Sequence, residues 1–289
     1  MASRIYYSIT DNRMRFTEHV VQKFLKEMNG KERIFVKPNI VSYEPSPTTT
    51  HPDVLRYVLK NLPESSEIIV GDAPVPDSSV TAGFRRKDVI KNHPLAKVCR
   101  QFNLELQNLY DLGFKKVRTK SGFSLNVSKV VFECDYMISL PVMKTHCLKA
   151  IGITGALKNN FGLLSAKERI LLHASEKVPG ILKRLRRSSK EINLVIAELN
   201  VIRKPDLFIV DMVDTLIKAN EVRHGGIEKH VGVMFAGKDP VALDCFGLGI
   251  LKKFDPGLKN KIPEDIPSIN HAIRLGVGKR EFKKLEIKD

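Results

Sequence analysis

The residues of this sequence best suited to chemistry are gathered between positions 144 and 173. Lys144, Thr145, His146 and Cys147 follow directly on an apolar run, and Lys158, Asn159 and Asn160 lie in a segment punctuated by Gly152, Gly155 and Gly162. Lysine is almost never buried without a partner. Either these lysines lie solvated in a loop, or they form an anion cradle in which the glycines let backbone N–H groups approach a phosphate or carboxylate. A lysine held out of water beside other cations can also act as a nucleophile or imine former. His146 supplies an imidazole for proton transfer. His173 closes a helix that begins at Ser165, where Glu168 three residues on makes a capping-box pattern. It is a functional imidazole or simply a cation on the helix dipole.

Earlier strand exits add candidates. Lys37 and Asn39 leave the strand-like RIFVKPNI ahead of the loop VSYEPSPTTT, and Asp72 ends EIIVGDA. Lysine and asparagine there suit a phosphate or carboxylate, although Asn39 and the threonines can equally bond within their own turn. Asp211 and Asp214 follow the apolar LFIVDMV as helix-cap carboxylates or as partners of magnesium and a substrate phosphate. Asp239 before Pro240 is a helix cap. Cys134 and Cys147 flank the central strand and are read as small packing residues.

Those residues need elements to position them. The run Tyr136 to Val142, closed by a proline, is a short buried strand. Further strands are expected at 4–9, 33–40, 67–73, 207–213 and 231–236. Helices are expected at 14–28, 53–62, 88–102, 192–202, from Pro240 onward and at 267–275. Residues 115–132 alternate around Ser121-Gly122 as an antiparallel hairpin, and the charged tail KREFKKLEIKD is expected to be peripheral. Strands alternating with helices predict an α/β fold: a largely parallel sheet covered by helices on both faces. The chain reads as a single domain over 1–289, two-lobed if a waist falls near 176–190. A strand emptying into a loop of Lys, His and Asn is where open α/β sheets place ligands. His146 and Lys158 on opposite faces of the sheet would exclude a shared site.

Composition narrows the classes. No run approaches eighteen apolar residues, which argues against a membrane span, and the first residues lack the apolar stretch of a secretory signal. Four cysteines without CxxC spacing argue against an iron–sulfur cluster or disulfide framework and fit a reducing cytoplasm. The net charge of +16 has three readings: a field steering a small anionic ligand, a lysine-rich thermophile surface, and a nucleic-acid partner. The last ranks lowest. The positive charge is dispersed apart from Lys183 to Arg187, and aromatics are not interleaved with that run.

Several stretches together, VKPNI followed by TTTHP, IIVGDA, SLPVMKTH, GALKNNFG, ERILLH, IVD and AGKDPVALD, resemble the uncharacterised family named domain of unknown function 362. The likeness runs over roughly 33–278. Some relatives carry a ferredoxin-like cluster domain, whose cysteine set is missing here. The strand followed by His146, Lys158 and a helix ending at His173 also looks like the core of lactate racemase. That resemblance implies a nickel-pincer nucleotide or divalent metal: Lys158 the covalent anchor, His173 the metal ligand and His146 the acid/base. Lys37, Asn39, Asp72, Lys144 and Asn159 would bind the cofactor or substrate. The sequence departs from that pattern at Gly71-Asp72-Ala73-Pro74, where the racemase has Gly-x-His-Arg, and at Lys37-Pro38-Asn39. Lactate racemisation itself is not expected; an isomerase or oxidoreductase acting on another small anion is. The alternative is a basic nucleic-acid-binding module without catalysis.

Overall fold

The computed structural model of the 289-residue chain describes residues 2–75, 86–173 and 189–288. The first half alternates β1 (Ser3–Ile9), α1 (Arg13–Met28), β2 (Arg33–Pro38), α2 (Pro52–Lys60), β3 (Glu67–Asp72), α3 (Arg86–Asn92), α4 (Pro94–Gln101) and β4 (Leu106–Asn108). A hairpin of β5 (Phe114–Arg118) and β6 (Ser124–Ser128) leads through the short α5 (Val130–Glu133) to β7 (Tyr136–Leu140). Then come the two-residue strands β8 (Lys144–Thr145) and β9 (Ile153–Thr154), followed by α6 (Ala156–Asn159), a 3-10 turn at Asn160–Leu163 and α7 (Ala166–His173). The chain closes with α8 (Ser189–Ile202), β10 (Leu207–Ile217), β11 (Ile227–Gly237), α9 (Pro240–Leu251), α10 (Pro267–Arg274) and β12 (Phe282–Glu286).

Eight of these strands form one sheet in the order β12-β1-β11-β10-β7-β2-β3-β4. It is mostly parallel; β11 alone runs against both its neighbours, β1 and β10. Period-two alternation sorts the side chains between two cores. Ile34, Val36, Ile138 and Leu140 pack with α1, α2 and α4. Phe35, Met137, Phe208, Val210 and Phe235 pack with α8, α9 and α10 on the other face. The expected α/β architecture with both faces covered is therefore the observed one.

The topology also fixes where a ligand can enter. From β2 the chain steps outward to β3 and β4, then returns to lay β7 on the opposite side of β2. At such a reversal the connections leaving the carboxyl ends of the two central strands diverge and open a crevice. Asn39, His146 and Lys158 all sit beyond the carboxyl ends of β2 and β7.

Several expectations need correction. The helix expected at 88–102 is two helices, because Pro94 cannot donate in a helix interior and instead starts α4, with His93 Nδ1 capping Leu95 N at 3.2 Å. The hairpin ends at Ser128, and residues 130–133 turn helical. The tail is not peripheral: β12 hydrogen-bonds in parallel to β1 and extends the sheet. Strands β10 and β11 each run to eleven residues, longer than their apolar cores suggested. Ser165 and Glu168 do meet, but hydroxyl to carboxylate, while Glu168 also accepts from Asn126 Nδ2 at 2.6 Å. The waist near 176–190 and the basic run 183–187 fall almost wholly outside the described residues.

One polar brace ties the outer helix layer to the crevice. Asn200 of α8 donates to Leu157 O and to Ile196 O, both at 2.9 Å, and accepts from Asn160 Nδ2 at 3.1 Å. All of these groups are buried. Asn200→Ala is expected to leave the Asn160 amide and Leu157 carbonyl short of partners and to cost about 1–3 kcal/mol, read as a lower urea midpoint at unchanged m-value.

Candidate functional site

Asn159 is the wedge that holds the crevice in shape. Its Nδ2 donates to Ser139 Oγ of β7 at 2.9 Å and to Lys37 O of β2 at 3.3 Å, while its Oδ1 accepts from Asn39 Nδ2 at 3.1 Å. A four-residue helix is too short to hold itself. α6 is kept in place from below by buried Asp244, which accepts from Ala156 N at 2.6 Å and Leu157 N at 3.1 Å. Burial pushes the Asp244 carboxyl up to about 7, against the two amide hydrogen bonds that favour its charge.

Beneath the crevice floor lie two ammonium groups, of which the sequence left Lys144 open as solvated and read Lys37 as an anion ligand. Both Lys37 and Lys144 are fully buried. Lys37 shares a face of β2 with Phe35, two residues before it, which turns it into the interior. There it meets Asp72 Oδ1 at 2.5 Å, while the other carboxylate oxygen of Asp72 accepts from Ile40 N at 2.6 Å. Any side chain at position 162 would collide with this pair. A Cβ there would overlap the Asp72 carboxylate and stand 2.8 Å from Lys37 Nζ, so Gly162 is dictated by the close approach. Lys144 donates to Thr48 O and, at 3.4 Å, to Asn39 Oδ1. Loss of water lowers both lysines, offset at Lys37 by Asp72, and brings Lys144 down to about 7.

Above them opens a cavity of about 510 Å³, within the range of small-molecule sites. Asn39, Asp72, His146, Lys158 and Asn159 all line it. His146 and Lys158 therefore share one cavity, and the arrangement that would have excluded a common site is not found. Lys158 is partly buried over the Phe161 ring, its Nζ 5.2 Å from the centroid, and among the described residues it makes no hydrogen bond or ion pair. Burial, reinforced by Arg169 and Lys37, lowers its amine to about 8. His146 is buried, and its Nδ1 accepts from Leu148 N at 3.0 Å, so the neutral ring carries its proton on Nε2. His173 ends α7, but its side chain lies outside the described residues.

Sequence reasoning missed the charged rim. Buried Arg169 donates to Ala73 O at 2.6 Å and to Tyr110 Oη at 2.9 Å, with its guanidinium 5.7 Å from the Phe161 centroid. Its position inside the quoted ERILLH was the available signal, overlooked because an arginine early in a helix normally faces water. Glu221 is buried and takes Arg223 Nε at 2.7 Å, with His224 Nδ1 at 3.3 Å. Glu44 accepts from Val222 N at 2.8 Å and Arg223 N at 2.9 Å, pinning that rim to the threonine-rich loop after β2. No sequence pattern announced Glu44 or Glu221. Cys147, set aside as packing, is exposed on the cavity wall.

The magnesium reading of Asp211 and Asp214 is overturned. Both carboxylates are taken by Arg13, at 2.8 and 2.7 Å, and Asp214 also by His230 at 2.9 Å. Among the described residues no group of three or more His, Cys, Asp or Glu side chains could hold a metal ion. A nickel-bearing nucleotide would find a lysine here in Lys158 but no ligand set among the described residues.

The sequence profile described as domain of unknown function (DUF362) matches residues 34–249. No curated protein matches the chain. Among solved structures it is similar to the lactate racemase apoprotein of Thermoanaerobacterium thermosaccharolyticum, at 14% identity and TM-score 0.42, over 82% of this chain and 54% of that one. It is also similar to a Thermotoga maritima protein, at 11% identity and TM-score 0.39, over 90% and 59%. A third likeness is to 6-phosphogluconolactonase from Plasmodium vivax, at 9% identity and TM-score 0.34, over 98% and 88%. The chain spans less than two thirds of the length of the first two. Likenesses this distant carry no chemistry across.

Buried lysines leave a pH signature. A lysine whose folded value lies below its unfolded one is protonated preferentially in the unfolded chain, so stability rises with pH between the two values. For Lys144 that window runs from about 7 to 10.5. The urea midpoint is expected to climb across it, and Lys144→Met to flatten the climb. An unchanged slope in the variant would contradict the burial of a charged Lys144.

Proposed function

The chain belongs to the family described as domain of unknown function (DUF362), and from its cavity we propose that it is a small-molecule enzyme acting on an anionic metabolite. Lys158 is its functional amine and His146 its proton carrier. The observation that supports this reading is the Lys158 ammonium: it faces a cavity and among the described residues has no carboxylate or carbonyl partner. Structural lysines in the same fold are partnered, Lys37 by Asp72 and Lys144 by Thr48 and Asn39.

The charge balance of the cavity wall favours an anion. Lys158, Arg169 and Arg223 line it against only Asp72 and Glu221. Both carboxylates are already engaged, one by Lys37 and two backbone N–H groups, the other by Arg223. An incoming carboxylate or phosphate would meet uncompensated positive charge in a low-dielectric recess, where it counts for more than at the surface. The net charge of +16 would add long-range steering toward the mouth. The four free cysteines suit a reducing, cytoplasmic setting.

Within this reading, Asn39 and Asn159 orient the ligand's polar groups, and Lys37, Asp72 and Lys144 hold the floor. His146 holds or delivers a proton at Nε2.

Titration calorimetry with a panel of small carboxylates and phosphate esters tests the reading. Lys158→Ala is expected to abolish binding of the preferred anion without lowering stability at pH 7, since an ammonium whose folded value is lowered by burial opposes folding while it is charged. Wild-type affinity in the alanine variant would remove Lys158 from the site.

A further inference from the structure

The wall of the cavity distinguishes Lys158 from an ordinary anion ligand. An ammonium placed to hold a carboxylate is normally kept charged by acidic neighbours. Here the two lining carboxylates are bonded to other partners, and the charged neighbour that acts on Lys158 most strongly is the cation Arg169, ahead of the opposing Cys147 and Glu221. The amine stands over the Phe161 ring rather than in water. Arg169 shares that ring from its own side, 5.7 Å from the centroid. A fixed guanidinium therefore serves the anionic end of a ligand, while the amine beside it is left for something else.

We propose that Lys158 forms a covalent imine with the carbonyl carbon of an anionic aldehyde or ketone, a 2-oxo acid being the simplest member of the class. This deepens the small-anion reading above and rests on it. The lone pair on Nζ attacks the carbonyl carbon, and the carbonyl electron pair passes to oxygen, which is held by a hydrogen bond from His146 Nε2–H and takes one proton from the new ammonium. The nitrogen's second proton passes to that hydroxyl as it leaves as water, and the imidazole stays neutral throughout. Amine and carbonyl enter, and imine and one water leave, with no oxidant or reductant required.

Three features fit that step. With its amine lowered to about 8, roughly a tenth of Lys158 is neutral and nucleophilic at pH 7. The Nδ1 of His146 is occupied by Leu148 N, so in the neutral ring the N–H that can hold the carbonyl oxygen is on the other nitrogen. The cavity of about 510 Å³ holds a three- to five-carbon oxo acid with room for water to depart.

The test is reductive trapping. Purified protein is incubated separately with pyruvate, 2-oxoglutarate and glyoxylate in the presence of sodium cyanoborohydride, then analysed by intact mass and peptide mapping. The expected result is a single adduct on the peptide carrying Lys158, absent in Lys158→Arg and slowed at least tenfold in His146→Ala. Its rate should rise with pH to a plateau above about 8. Adducts spread over surface lysines and unchanged in Lys158→Arg would overturn the imine. Calorimetry on the same acids without reductant separates the two failures. Binding that depends on Lys158 without trapping overturns the imine and leaves the anion site standing, whereas neither binding nor trapping removes both.

Discussion

The constraint on which this structure turns is the removal of ammonium groups from water at the ends of the two central strands. Lys37 sits at 0% exposure, and Asp72 is set against it at 2.5 Å. A buried pair of this kind contributes little net stability, yet losing one partner leaves an unpaired charge in the interior, a penalty of about 3–5 kcal/mol. Everything around the pair is arranged to avoid that. The amides of Ile40 and Ala73 feed the carboxylate, Gly162 gives up its side chain, and Asn159 closes the gap between the strands. The geometry of the floor is thus over-determined, and the cavity above inherits its rigidity.

From that floor the electrostatics of the cavity follow. Because Asp72 is bonded to Lys37 and Glu221 to Arg223, no carboxylate among the described residues pairs directly with Lys158, and Glu221 acts on it only at a distance. Burial then acts on the amine in the same direction as its cationic neighbours. Lys144 shows the other solution available to the fold: its hydrogens go to a backbone carbonyl and an amide oxygen. Three lysines within one crevice are thereby given different chemical characters by their acceptors alone, with Lys158 the only one left facing the ligand space.

Much of this was legible in the sequence, for identifiable reasons. Strand ends announce themselves through Pro38, Pro141 and Gly71, and the residues just past them, Asn39, Asp72, Lys144 and His146, fall near one another because parallel strands deliver their exits to one edge. Burial of Lys37 was signalled by its sharing a strand face with Phe35, but its residue type pointed to an anion ligand at a strand exit and that signal went unused. Arg169, Glu44 and Glu221 were hidden because their roles depend on which helix face and which distant loop reach the cavity. Glu44 meets Val222 and Arg223 across some 180 residues of chain. Tail strand β12 was missed because its charged, alternating residues pair only at a sheet edge, where polarity and strand formation are compatible.

That edge has a consequence for how the protein is made. Among the described residues strand β1 pairs with β11 and β12 alone, so once made it has no sheet partner until residues 227–237 and 282–286 have followed it. Strands β2, β3, β4 and β7 can pair among themselves long before that. The half of the sheet that carries the crevice is thus available to assemble during synthesis, and joining β1 to β11 and β12 is a late event that must close a loop of more than 200 residues. Throughout that interval β1 waits as an unpaired edge, displaying Tyr6 and Tyr7 to whatever nascent chain or chaperone it meets.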